Sequence, residues 1–137
     1  WECRRSCNDA GGTQLCIRDE MESVFVRDLL HMSRRCCYWN DKTCCTWVGY
    51  HQDDTTGQSD EGWTWMDAGC TSSYEAWAPG EPNDYEGANE NCALMMPGGD
   101  AAVGAEGTSG AMGRQAAPIW NDDTCQARSE CVCEADG

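Results

Sequence analysis

Aliphatic side chains are the first shortage. Leu, Ile, Val and Phe supply only 12 of 137 residues, a share that alone would point to disorder. Basic residues are scarce too: 9 face 24 acidic ones, for a formal net charge of −15. Such a chain repels phosphate backbones and anionic headgroups, which argues against nucleic acid or a membrane surface as partner. No apolar run approaches the roughly 18 residues of a membrane-crossing helix, so no stretch reads as a span. Neither of the two histidines, His31 and His51, lies near a Ser or Cys in a nucleophile motif, which argues against an enzyme. No C-x2-C pair occurs among the cysteines, and a cytosolic multi-zinc protein would want them. The chain opens on neither Met nor a signal peptide, so Trp1 reads as the start of a mature or incomplete chain or an internal residue of a longer precursor.

Two residue types are present in excess. Seven Trp each bury a large area, and twelve Cys form an even set. A small chain with a thin aliphatic core and many cysteines reads as one disulfide-stapled domain made for an oxidising, extracellular compartment.

Along the chain, residues 1–10 read as a short helix ended by Gly11 and Gly12, with Cys3 and Cys7 on one face. Asp19 and Glu22 have capping-box spacing at the start of a second helix. There Met21, Val24, Phe25, Leu29 and Met32 follow a 3.6-residue period, which predicts a core-facing stripe. Residues 36–45 (CCYWNDKTCC) read as a stapled hairpin. Residues 46–50 (TWVGY), 63–66 (WTWM), 93–96 (ALMM) and the stretch carrying Cys131 and Cys133 read as strands. Residues 97–117 are Gly- and Ala-rich and read as an insertion loop. Helices first and strands after make the fold class α+β.

Residues 77–92 (WAPGEPNDYEGANENC) carry the chemistry. They hold four carboxylates, Glu81, Asp84, Glu86 and Glu90, three amides, Asn83, Asn89 and Asn91, and no cation. Hard oxygen donors of mixed charge are a ligand set for calcium rather than zinc or copper. The bond before Pro82 tolerates either isomer, and a cis form could turn the Glu81 and Asn83 oxygens toward one point.

Taken in order, these motifs resemble the C-type lectin-like domain family over nearly the whole chain, apart from residues 31–45 and the 97–117 insert. The matching pieces are the opening around Cys7, Gly11 to Leu15, the helix from Asp19, TWVGY in place of a W-I-G-L signature, GWTWMD, WAPGEPN, Glu90-Asn91-Cys92, and Trp120-Asn121-Asp122. An earlier WND at 39–41 lacks the cysteines that follow at family spacing, here Cys125 and Cys133.

The resemblance implies two helices flanking small antiparallel sheets, with a long loop region that carries calcium. It implies disulfides Cys7–Cys133 and Cys92–Cys125, stabilising by about 5 and about 4 kcal/mol on loop-closure entropy. Cys3, Cys16, Cys36, Cys37, Cys44, Cys45, Cys70 and Cys131 stay unassigned. It places Ca2+ on Glu81, Asn83, Glu90, Asn121 and Asp122, with the Asp122 main-chain carbonyl as a further donor and Asn89 as a substitute for Glu90. A second calcium would use Asp53, Glu61 and Asp84. Sugar hydroxyls would meet Glu81, Asn83, Glu90 and Asn121, and the EPN order implies mannose, glucose or fucose rather than galactose. Exposed Tyr74, Tyr85 or Trp77 would add an apolar contact, with Trp77 read rather as a core residue. The expected function is calcium-dependent binding of glycans by a secreted protein or an ectodomain. The alternative is a structural or protein-interaction module of an extracellular assembly, in which calcium only stiffens the loops.

Overall fold

A computed structural model describes residues 2–30, 45–53, 57–96, 117–127 and 129–135. His31, Met32 of the expected helical stripe, the 36–44 part of the expected hairpin, the first WND and all of the 97–117 insert except Ala117 lie outside them.

Helix α1, Glu2–Asp9, is followed by strand β1, Gly12–Gln14, and helix α2, Glu20–Leu29. Strands β2, Thr46–Gln52, and β3, Trp63–Trp65, come next, then β4, Cys92–Met96, and β5, Ile119–Asp123. A 3-10 turn, Tyr85–Gly87, lies between β3 and β4, and two short strands, β6 (Glu130–Cys131) and β7 (Cys133–Ala135), complete the described elements. The α+β class is as expected. β1 pairs with β7 as a two-stranded antiparallel sheet that joins the two ends of the described chain. The larger sheet runs β3-β2-β4-β5, all antiparallel, and β6 adds a two-residue parallel pairing to β2 at Thr46 and Trp47.

The central strands divide two cores, because successive side chains leave opposite faces. On one face Val48 and Tyr50 of β2 and Ala93 and Met95 of β4 meet Leu15, Ile17, Val26 and Trp120. On the other, Trp47 and Leu94 pack with Cys3, Cys7, Cys45 and Cys92. Aromatic rings extend the first core: Tyr50 stacks on Trp63 at 5.7 Å and lies 4.8 Å from Trp65. Trp63 and Trp65 share the inward face of β3, with Thr64 exposed between them. Sulfur and indole thus take the place of missing aliphatics. Gly49 lets β2 approach the segment after β1: its N–H donates to the Leu15 carbonyl at 2.7 Å, and a Cβ there would lie 2.8 Å from that oxygen.

Both disulfides implied by the resemblance are present, Cys7–Cys133 and Cys92–Cys125. Two more join Cys3 to Cys131 and Cys16 to Cys70. The second ties the segment between β1 and α2 to the loop after β3. Cys45 is also disulfide-bonded.

Helix α2 begins as expected and faces the other way. The Asp19 carboxylate accepts the Glu22 N–H at 2.8 Å, capping the first turn. The Glu22 side chain does not return to Asp19; it accepts from the Arg18 N–H at 2.6 Å. The apolar stripe does not face the core: Met21 is 81% exposed, Phe25 63% and Leu29 58%, and Val24 is half-buried. The buried side is Ser23, Val26 and Arg27. Ser23 is small enough to let the helix rest on β4, where its hydroxyl lies 3.4 Å from the Met95 sulfur. The Arg27 side chain is buried with its guanidinium, which pairs with Asp28 at 2.9 Å.

Candidate functional site

The polypeptide after β3 is brought back to the sheet by tryptophan. Trp77 bridges to Trp120 of β5. The Trp120 N–H donates to the Ala76 carbonyl at 2.7 Å, and the Ala78 N–H donates to the Trp120 carbonyl at 2.8 Å. Trp120 is fully buried and meets Trp65, Tyr74 and Trp77 edge-on at 5.8–6.0 Å. The 77–91 loop therefore starts beside Asn121 and Asp122. A turn follows, closed by Glu81 N–H to Ala78 O at 3.0 Å, with Pro79 and then Gly80 at φ 89°, the residue order of a type II turn. The Glu81–Pro82 bond is cis.

Asp122 clamps what comes next. Its Oδ2 accepts the N–H groups of both Asn83 and Asp84 at 2.8 Å, so a fully buried carboxylate on β5 sets the backbone of the acidic loop. Glu90, also buried, accepts the Tyr85 N–H at 2.9 Å, and Asp84 Oδ1 accepts the Glu90 N–H at 3.2 Å. Asp84 and Glu86 hold left-handed backbone, φ 48° and 56°, a conformation non-glycine residues avoid. The bonds from Asp84 to Glu90 and Asp122 maintain its share of it. The Asn121 side-chain amide donates to the Asp122 main-chain carbonyl, so that carbonyl already has a partner.

The electrostatics are unfavourable without a cation. Burial raises the Glu81 pKa to about 7, reinforced by a hydrogen bond with the Asp122 carboxyl and by the charges of Asp122 and Glu90. Glu81 Oε2 and Asp122 Oδ1 are both buried, and apart from this carboxyl–carboxyl contact no other group donates to them. Two such buried carboxylate oxygens cost several kcal/mol if both groups are ionised. A hard divalent cation would satisfy both, and the neighbouring donors, Asn83, Glu90 and Asn121, are oxygen-bearing. The residues therefore fit calcium. Among the described residues no three acidic, histidine or cysteine side chains stand together at metal-holding spacing, so Glu81, Glu90 and Asp122 are not gathered around one point in this structure, and amides would have to complete a set begun by Glu81 and Asp122.

The expected residues divide accordingly. Glu81, Asn83, Glu90, Asn121 and Asp122 come from two distant segments to one end of the sheet. Asp84 serves the backbone of the loop through its bond to Glu90. Asp53 and Glu61 are exposed on the 53–62 loop, which is closed by Gln52: its amide donates to the Gln58 carbonyl and, at 2.7 Å, to the Glu61 carbonyl. The sequence reading missed that role for Gln52, although a polar residue ending an apolar strand next to an acidic loop is a signal of it. Of the aromatic candidates, Tyr85 is 62% exposed beside the site. Tyr74 and Trp77 are half-buried against the core.

The description "Lectin C-type domain" matches residues 1–135. The chain belongs to the C-type lectin domain family. It is 38% identical over 78 residues to the human secretory phospholipase A2 receptor, a match over 57% of this chain and 4% of that protein. The chain thus spans only a small part of that relative's length. The carbohydrate-recognition domain of the human scavenger receptor C-type lectin shares the fold at TM-score 0.63 and 18% identity, over 99% of this chain and 81% of that one. The cow CD23 carbohydrate-recognition domain, solved in the presence of a GlcNAc2Man3 oligosaccharide, is 25% identical at TM-score 0.51, over 96% of this chain and 72% of that one. The chain thus belongs to a family of binding modules for carbohydrate or protein rather than enzymes. No helix among the described residues is long and apolar enough to cross a membrane.

Proposed function

We propose that this C-type lectin domain binds mannose-type glycans at a single calcium ion held by Glu81, Asn83, Glu90, Asn121 and Asp122. The observation that carries the reading is the pair of buried oxygens, Glu81 Oε2 and Asp122 Oδ1, to which no other group donates. A bound calcium would supply open coordination positions for two neighbouring sugar hydroxyls, since it takes 6–8 oxygens. Glu81 and Glu90 accept hydrogen bonds from those hydroxyls, and the amides of Asn83 and Asn121 donate to them. Asp122 holds the backbone of Asn83 and Asp84 in register. Exposed Tyr85 offers its ring to the apolar side of the sugar. The mannose, glucose or fucose preference rests on the EPN order of residues 81–83 and the family resemblance. A second ion at Asp53, Glu61 and Asp84 has less support: Asp84 already accepts from Glu90, and Gln52 closes the neighbouring loop. The glycans would belong to glycoproteins or cell surfaces, and the protein would act outside the cell, where its disulfides persist.

Retention on immobilised mannose and galactose, with and without EGTA, tests this beside a Glu81→Gln/Asn83→Asp variant. Mannose retention lost in EGTA, and moved toward galactose in the variant, is expected. No retention on either sugar, with calcium still raising the melting temperature, would leave the metal and remove the lectin. The second reading, a protein-interaction module of an extracellular assembly with calcium only stabilising the loops, is favoured in that event by the exposed apolar face of α2.

A further inference from the structure

The outer face of α2 is apolar and, among the described residues, uncovered. Met21, Phe25 and Leu29 recur every fourth residue and are all more than half exposed. Such side chains scattered singly would need no explanation, but a contiguous stripe does. At its N-terminal end a hollow of about 310 Å³ is lined by Glu20, Met21, Val24 and Phe25, so a carboxylate stands at the lip of an apolar depression. The stripe's flanks carry Glu20 and Asp28 on one side and Glu22 on the other; Glu22 and Asp28 are ion-paired, which leaves Glu20 as the acid at the rim with no ion pair among the described residues. The cations closest in sequence are already engaged, Arg18 with Glu22 and Glu134 at 2.9–3.0 Å and Arg27 with Asp28 at 2.9 Å.

Charge complementarity selects the occupant. A second copy would bring a second Glu20 and another −15 chain to the contact, and like charges across an interface are costly. An anionic bilayer is disfavoured for the same reason, and helices that lie in membranes carry exposed Lys and Arg on the polar face, whereas the one cation of α2, Arg27, is buried and paired with Asp28. We propose that the outer face of α2, with Met21, Phe25 and Leu29 at its centre and Glu20 at its edge, docks a cationic amphipathic segment of a partner protein. The partner's apolar residues cover Phe25 and Leu29. The stem of one Lys or Arg enters the hollow against Met21, Val24 and Phe25, and its charged head meets Glu20. This surface contributes no residue to the proposed calcium site, so the two proposals fail independently.

The test uses two synthetic helical peptides at physiological salt, one with a Leu face and a Lys face, the other with Ser in place of Leu and equal charge. Binding is followed by amide chemical shifts of the 15N-labelled domain and by fluorescence anisotropy. The Leu/Lys peptide should shift residues 20–29. Its affinity should fall roughly tenfold in Phe25→Ser or Leu29→Ser and roughly threefold in Glu20→Gln. Because these side chains are exposed, circular dichroism should be unchanged. Equal binding of the Ser/Lys peptide, shifts elsewhere, or no loss in the three variants would overturn the proposal. Self-association abolished by Phe25→Ser would assign the face to a second copy instead. Co-sedimentation with phosphatidylcholine/phosphatidylserine vesicles, lost in the same variant, would assign it to lipid.

Discussion

Burial and the Asp122 carboxyl lift the Glu81 pKa from 4.5 to about 7, so the metal-free folded domain keeps a proton that the unfolded chain releases. Between those two values the native state binds more protons than the unfolded state, and stability falls as pH rises. In EGTA the melting temperature should therefore drop from about pH 5 to about pH 7.5, and Glu81→Gln should flatten that part of the profile. Calcium needs the ionised carboxylate, so its affinity should rise over the same window, measurable by titration calorimetry. A metal-free melting temperature that is level or rising across this range would contradict the account. Asp122 separates two roles. Asp122→Ala leaves the backbone N–H groups of Asn83 and Asp84 without their acceptor and should cost roughly 1–3 kcal/mol in urea unfolding. Asp122→Asn keeps an acceptor and should stay folded while losing the calcium-induced gain in melting temperature.

Among the elements, α2 was legible in extent and misread in direction. Asp19 marks its start through cap chemistry local to four residues. Asp19→Ala should lower stability by about 1 kcal/mol, read from the urea midpoint. The face was not legible because periodicity identifies an apolar stripe without saying what lies against it. Here close approach to β4 through Ser23, and burial of the Arg27 side chain, decided the rotation. β1 was too short for periodicity to find, and its position depends on pairing with β7, far away in sequence. Gly49 reads in sequence as a weak point in a strand; in the fold it is where β2 touches the segment after β1. Gly49→Ala forces a Cβ against the Leu15 carbonyl and should destabilise by about 1–3 kcal/mol, again by urea unfolding. An unchanged midpoint would show that the segment can retreat.

At the scale of the molecule, four described disulfides and a ring of indoles take over the role that aliphatic packing has elsewhere. Cys16–Cys70 spans 54 residues, and loop closure predicts that the Cys16→Ala/Cys70→Ala double variant loses about 4 kcal/mol, visible as a lower urea midpoint. A loss well under that would mean the segment before α2 is already held by Leu15 and Ile17 in the core. The same fold brings Glu81 and Asp122 together, so calcium should raise stability by mass action, about 2.7 kcal/mol at a hundredfold excess over Kd.

By itself the sequence determined what is local or compositional. Cysteine count and acidity set the disulfide-stapled character and the charge, a side-chain oxygen after Arg18 starts a helix, and oxygen donors of mixed charge define a calcium-type ligand set. The order of motifs carried the family and, through it, two of the disulfides. Tertiary structure alone decided the Cys3–Cys131 and Cys16–Cys70 pairs, the outward turn of Phe25, and the use of Asp84 and Gln52 as loop ties. It also decided that two carboxylate oxygens are buried against each other with no other group donating to them. These depend on which distant segments are packed together and how deeply, because dielectric burial and the distance between charges belong to the assembled fold and to no single stretch of chain.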